Sequence, residues 1–166
     1  MADSPKKRIS LDEFFSKILV ELPALSASEM EQGNFIQKRL AMSADLDSEL
    51  TALRVWYMSQ ALYGALTHRG NVETEITLEL LRRFAGATQR MTRTLRLDYA
   101  LRCEFYERAM QHDMEDEGHG NQLLDCFLKF CGSEHEALKE IYYASMVGIT
   151  TRVAKTVERF EIVKTL

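Results

Sequence analysis

The longest apolar stretch of the chain, Leu46–His68, has the residue pattern of a buried helix. Its apolar positions recur at steps of four and three residues, and they spread well beyond a single stripe. A helix that is apolar around so much of its circumference is usually covered from several sides. We therefore predict a central helix over these residues, capped by Asp45 or Ser43 and ended by Gly70.

Capping signals and helical spacing predict further helices on both sides of this element. A serine followed three residues later by a glutamate is typical of a first helical turn, because each side chain can bond a free backbone amide. Three such pairs occur, namely Ser10 with Glu13, Ser26 with Glu29, and Ser133 with Glu136. The last pair opens a long helix whose apolar residues continue to Phe160.

The pattern as a whole predicts an all-α fold without β-strands. Only 2 prolines and 8 glycines interrupt the 166 residues, which suits long helices better than a β architecture with many turns. A chain of this length fits one domain with a sizeable core. We predict a single-domain helical bundle of six to seven helices over residues 10–166, preceded by a flexible polar tail at residues 1–9.

Composition narrows the class of protein but does not identify a partner. A content of 46% apolar and 28% charged residues is ordinary for a globular domain, and the net charge of −4 is too small to imply a ligand. Three irregularly spaced cysteines predict reduced thiols instead of a disulfide framework. Without a long apolar run or a signal-peptide pattern, we expect a cytoplasmic protein with no membrane segment.

The arginine-rich residues 82–96 allow two interpretations. In a helix-turn-helix motif, Ala85-Gly86-Ala87 would form the turn before a DNA-recognition helix. In a single helix over residues 72–96, the apolar residues keep one face on both sides of Gly86, which a turn would have scrambled. We favour the single helix because this phase is unbroken. Its outward face then carries five arginines, namely Arg82, Arg83, Arg90, Arg93 and Arg96.

These five arginines are the predicted binding site. The planar guanidinium group suits bidentate contacts with carboxylates and phosphates. We expect a protein-interaction or regulatory module that binds another protein, or a second copy of itself, through this face and the adjacent acidic segment at residues 103–119. Nucleic-acid binding through the same arginines is one alternative. A face that is solvated, or paired with acids of a neighbouring helix, is the other.

Opposite charges follow one another along this part of the chain. Residues 82–102 contain six arginines and one aspartate, whereas residues 103–119 contain six acids and one arginine. The two blocks would pair internally if their helices are antiparallel neighbours. If they face outward, they would instead pair between the subunits of a homo-oligomer. Self-association is therefore as compatible with the sequence as binding to a different protein.

The acidic block also contains a weak candidate for a metal site. A helix that continued to residue 119 would align the possible ligands His112, Glu115, Asp116 and His119 on one face. Gly118 and Gly120 are expected to end the helix earlier, and the ExxH motif of di-iron bundles is absent. We predict no metal and no cofactor, with a metal or small-molecule sensor as an alternative function. No catalytic motif is found, so no enzyme activity is predicted.

Overall fold

The computed structural model describes residues 6–20, 35–40, 42, 44–68, 72–115 and 121–163. The helices and strands with defined bounds are β1 (Lys7–Ser10), α1 (Leu11–Val20), α2 (Leu46–His68), α3 (Thr74–Arg93), α4 (Tyr99–Glu115), α5 (Gln122–Cys131), α6 (Glu136–Arg159) and β2 (Phe160–Val163). Residues 35–39 are also helical. The predicted all-α helical bundle is confirmed, and the central helix α2 has the predicted bounds.

The chain divides into two compact units. The first is made from Met1–Leu22, Tyr57–Arg90 and Val147–Leu166, and the second from Pro23–Trp56 and Met91–Met146. Helices α2, α3 and α6 each contribute residues to both units. The division therefore runs through three helices. The single domain predicted over residues 10–166 stays a prediction.

The first unit is organised around a core of fully buried apolar side chains. The core draws on β1, α1, the second half of α2, α3 and α6. Its members include Ile9, Phe14, Ile18, Leu62, Phe84 and Val157. Burial of apolar surface stabilises a fold by about 25 cal/mol per Å², so these side chains hold the helices of this unit together.

A two-stranded parallel sheet is the part of the first unit that the sequence did not predict. β1 pairs with β2, with Ile9 opposite Ile162, and both side chains are buried. The expectation of a fold without strands is therefore wrong, and residues 7–9 of the predicted flexible tail belong to β1. Strands of four residues are too short for a clear alternation signal, and each finds its partner at the other end of the chain.

The caps of α1 and α2 agree with the sequence. Ser10 Oγ accepts the amide hydrogen of Glu13 at 3.2 Å, and Asp45 Oδ1 accepts that of Ser48 at 3.3 Å. Each bond satisfies an amide that the first turn of a helix leaves without a partner. The remaining predicted markers of helix ends, Ser26, Glu29, Ser43 and Gly70, lie outside the described residues.

The cap of α6 differs from the predicted box of Ser133 and Glu136. Ser133 Oγ accepts the amide hydrogen of His135 at 3.3 Å, before the helix begins. His135 Nδ1 then accepts the amide hydrogen of Ala137 at 3.2 Å. The imidazole therefore caps this helix, because an unprotonated ring nitrogen accepts a hydrogen bond as a carboxylate or hydroxyl oxygen does.

In the second unit, α4 turns a different side inward from the one its sequence suggests. Helical spacing alone would place Leu101 and Phe105 on an apolar inner face, but these side chains are 40% and 44% exposed. Tyr106 is fully buried instead. Arg102 is partly buried on the same side of the helix, where its guanidinium binds the buried carboxylate of Glu49.

The hydroxyl of Tyr106 gives a prediction about stability. Its ring packs against Trp56 and Phe130, but among the described residues no group hydrogen-bonds the buried hydroxyl. Because a buried hydroxyl without a partner is costly, Tyr106→Phe is expected to unfold at a higher urea concentration, with a gain of about 1 kcal/mol. Tyr57→Phe is the control, since it removes a hydroxyl 3.0 Å from Thr150 Oγ1, and it should show no gain. Destabilisation by Tyr106→Phe would contradict this assignment.

Candidate functional site

Helix α3 carries most of the arginines that the sequence singled out. It runs from Thr74 to Arg93 and passes through Gly86 without a turn. The prediction of one continuous helix is therefore confirmed, and the helix-turn-helix interpretation is wrong. The helix ends three residues earlier than predicted, so Arg96 lies in the loop that follows it.

Two of the five arginines are held by acids of the first unit. Glu79 accepts hydrogen bonds from Arg82 Nε at 3.0 Å and from Arg83 Nε at 2.7 Å. Arg83 also forms an ion pair with Asp12 of α1. The hydrogen bond from Arg83 is the main reason that the pKa of Glu79 is lowered, and the charge of Arg82 adds to it. Arg82 nevertheless remains 79% exposed.

These charged side chains line a groove of about 460 Å³ in the first unit. Its apolar lining consists of Leu11, Ile76 and Leu78, and its charged lining of Asp12, Glu75, Glu79, Arg82 and Arg83. Leu11 and Ile76 are buried and belong to the core, whereas Leu78 is 59% exposed. The groove thus combines an exposed apolar side chain with two guanidinium groups whose positions are set by ion pairs.

The other three predicted arginines are not part of this groove. Arg90 belongs to the first unit and is exposed, and no described acid forms an ion pair with it. Arg93 and Arg96 belong to the second unit. Arg96 Nε lies 3.8 Å from Asp45 Oδ2, with its side chain 86% exposed. Of the predicted set, the structure brings Arg82 and Arg83 together on a shared acid.

Within the second unit, the arginines and the acids of the two charge blocks do not pair with each other among the described residues. No ion pair joins Arg93, Arg96 or Arg102 to an acid of α4 there. Glu104 pairs with Arg108 within α4. Asp113 caps α5, where it accepts the amide hydrogens of Gln122 at 2.7 Å and of Leu123 at 3.0 Å. Glu104 and Asp113 therefore have structural roles within the second unit.

A buried ion pair in the second unit was not predicted from the sequence. Arg102 donates to Glu49 through Nε at 3.0 Å and through Nη2 at 2.5 Å, and Glu49 is 3% exposed. The guanidinium carbon lies 3.9 Å from the centroid of the Phe130 ring. The hydrogen bonds that Arg102 donates to Glu49, and the negative charge of Glu49, raise the pKa of Arg102. In the sequence, Glu49 was distinguishable only as an acid in the first turn of α2.

This ion pair forms part of the lining of a polar cleft of about 1070 Å³ in the second unit. Further charged side chains come from the start of α2, from the loop after α3 and from α5. They are Asp45, Asp47, Arg96 and Lys129. The cleft has room for a small molecule, and its lining carries both signs of charge.

The described residues do not support the metal site that the sequence suggested on α4. His112 and Glu115 are exposed on α4, and Glu115 accepts a hydrogen bond from Gln111 at 2.9 Å. Asp116 and His119 lie outside the described residues. Across the described ranges, no three histidine, cysteine or acidic side chains are grouped as a metal ion would require.

The three cysteines form no disulfide bond with one another, as the sequence predicted. Cys131 is buried, and Cys103 and Cys126 are partly buried. Burial raises the pKa of the Cys126 thiol to about 11 and raises that of Cys131 still further above its ordinary value. Because the thiolate is the reactive form, both thiols are poor nucleophiles at neutral pH.

None of the helices in the described ranges has the combination of length and apolarity needed to cross a membrane. Comparison with protein-family models, with curated proteins and with solved structures finds no match to this chain.

Proposed function

We propose that this chain is a cytoplasmic protein-interaction or regulatory module, and that the groove of its first unit binds a helical segment of another protein. The observation that carries the proposal is the exposed Leu78 beside Arg82 and Arg83 in a concave, partly apolar surface. Interfaces between proteins are enriched in arginine and use apolar side chains as anchors in pockets. Leu78 would pack against an apolar side chain of the partner, and Arg82 would bind one of its carboxylates.

The exposed side of α3 has the spacing that helix pairing uses. Leu78, Arg82, Ala85 and Gln89 follow one another at steps of four, three and four residues, and all four are exposed. Such steps align side chains along one side of a helix. A Cβ atom added at Gly86 would meet no atom within 4 Å, so the backbone is open there. Small residues in the middle of this stripe would let a partner helix approach closely.

The distribution of charge favours a protein partner over a nucleic acid. The groove contains three acids, Asp12, Glu75 and Glu79, against two arginines. A phosphate backbone requires a continuous positive surface, because each neutralised phosphate contributes to affinity and each nearby acid opposes it. A peptide needs no continuous positive surface, because it can offer one apolar side chain to Leu78 and a single carboxylate to Arg82, so it fits this mixed lining better. Exposed Arg90 adds a cation that is available to such a partner.

Selection from displayed random peptides tests this function and requires no named partner. We expect the chain to enrich peptides that combine a large apolar residue with aspartate or glutamate at helical spacing. Binding to Leu78→Asp/Arg82→Glu should be weaker by about tenfold or more, as expected when an interface anchor is lost. Fluorescence polarisation with one enriched peptide measures the change in Kd.

The control is Val147→Asp/Arg159→Glu, which makes the same changes of charge and polarity in the same unit. Val147 is 65% exposed, Arg159 is exposed, and neither lines the groove. This variant should bind the enriched peptide as the unchanged chain does. The proposal would be contradicted if Leu78→Asp/Arg82→Glu enriched the same peptides as the unchanged chain, or if both variants weakened peptide binding equally.

A further inference from the structure

Among the described residues, the lining of the polar cleft in the second unit has three acidic and three basic side chains. Its acidic side chains are Asp45, Asp47 and Glu49, and its basic side chains are Arg96, Arg102 and Lys129. A cleft with equal numbers of both signs has no general preference for anions or cations. What it prefers depends on which of these charges are already paired inside the protein.

Two of the possible pairs are formed within the cleft. Glu49 and Arg102 share the two short hydrogen bonds described above, and the pair is largely buried. Arg96 lies within 3.8 Å of Asp45. Asp45 is further engaged because it accepts hydrogen bonds from the amide and the hydroxyl of Ser48. Each of these four charges therefore has an ion-pair partner inside the protein.

The remaining two charges, Asp47 and Lys129, have no ion-pair partner among the described residues. Asp47 Oδ1 is buried, and no group in the described ranges donates a hydrogen bond to it. Burial, and after it the nearby charge of Asp45, raise the pKa of Asp47. Lys129 is exposed on α5, and its ammonium group has three donor hydrogens to offer a ligand. One acceptor and one cation are thus left over in the same cleft.

We propose that this cleft binds a small zwitterion of the amino-acid or short-peptide class. The ammonium group of the ligand would bind the carboxylate of Asp47 from the cleft, and its carboxylate would accept from Lys129 Nζ. Such a ligand neutralises both unpaired charges at once. A volume of about 1070 Å³ exceeds what a single amino acid fills, so a short peptide is accommodated as well.

Thermal unfolding with defined probes tests this site. The probes are the free L-amino acids and glycylglycine, each compared with its N-acetylated and C-amidated forms, which lack one of the two charges. At a concentration of about 100 times Kd, a zwitterion that binds only the folded chain should raise Tm by several degrees. Either blocked form should raise Tm by much less. Isothermal titration calorimetry then gives the Kd of the best probe.

Variants separate this site from a general effect of the probes. Asp47→Asn and Lys129→Ala should each raise the Kd by about tenfold or more, because each removes one charge-assisted contact. Asp125→Asn and Lys155→Ala are the controls, since both residues are exposed and lie outside the cleft lining, and the Kd should not change. The proposal is overturned if no zwitterion raises Tm above its blocked forms, or if the Kd is the same in Asp47→Asn and Lys129→Ala as in the unchanged chain. Peptide binding by the groove of the first unit is measured separately with the variant Leu78→Asp/Arg82→Glu, so the two proposals can fail independently.

Discussion

Replacement of Arg102 by alanine is expected to lower the free energy of unfolding by about 3–5 kcal/mol, because it leaves the buried carboxylate of Glu49 without its counterion. The second unit offers that carboxylate little access to water, since the Glu49 side chain is 4% exposed. The substitution also removes the guanidinium that stacks on Phe130. Urea unfolding followed by circular dichroism measures the change in the free energy of unfolding. An m-value equal to that of the unchanged chain shows that unfolding exposes the same amount of surface in both proteins.

Two further variants show whether burial of the charge causes this loss. Arg108→Ala removes an arginine from an exposed pair with Glu104 on the same helix, and it should cost no more than about 0.5 kcal/mol. Glu49→Met/Arg102→Met replaces both charges by apolar side chains and should recover most of the stability lost in Arg102→Ala. A similar, small effect of Arg102→Ala and Arg108→Ala would show that the pair is not buried in solution.

The same ion pair shows why the inward face of α4 could not be predicted from periodicity. Apolar spacing favours the face with Leu101 and Phe105, and it treats Arg102 as a solvent-facing charge. The structure buries Tyr106 instead and directs Arg102 to Glu49. A contact between residues on different helices leaves no local trace in the sequence. Periodicity alone therefore does not show which side of α4 is buried.

Helix α2 is the opposite case, since its bounds agree with the sequence at both ends. Asp45 caps it through a hydrogen bond to a residue only three positions away, and apolar residues cover most of its circumference. Both signals are local, so they can be read from one short stretch of sequence. The continuity of α3 through Gly86 was predictable for the same reason. The pairing of acids and arginines on the surface of α3 was not predictable from the sequence.

The candidate sites show the same division between local and distant information. Arginine spacing pointed to Arg82 and Arg83, and the structure places both at the groove. Asp12 of α1 also lines that groove and forms an ion pair with Arg83. No pattern in the sequence connects these two residues. The zwitterion site depends on Asp47 and Lys129, which lie on different helices. Their common feature is the lack of an ion-pair partner among the described residues, which only a three-dimensional structure reveals.

Sequence patterns did not predict the two strands of the first unit. We expect Phe14, which packs between α1 and these strands, to be critical for stability. Phe14 is fully buried, and its ring meets that of Phe160 in β2 edge to face, with centroids 6.5 Å apart. Phe14→Ala is expected to lower the free energy of unfolding by about 3–5 kcal/mol, because it removes a large core side chain and leaves a cavity.

The adjacent Phe15 provides the matched control, because it is only partly buried against the same core. Phe15→Ala should cost less than half as much in urea unfolding, since more of its ring is already in contact with water. Hydrogen exchange adds a local measurement: in Phe14→Ala, the backbone amides of Phe160–Val163 should lose protection, because β2 loses an aromatic contact as well as core stability. Equal losses for the two phenylalanines, or unchanged protection of β2 in Phe14→Ala, would mean that the core of the first unit does not hold this sheet in place.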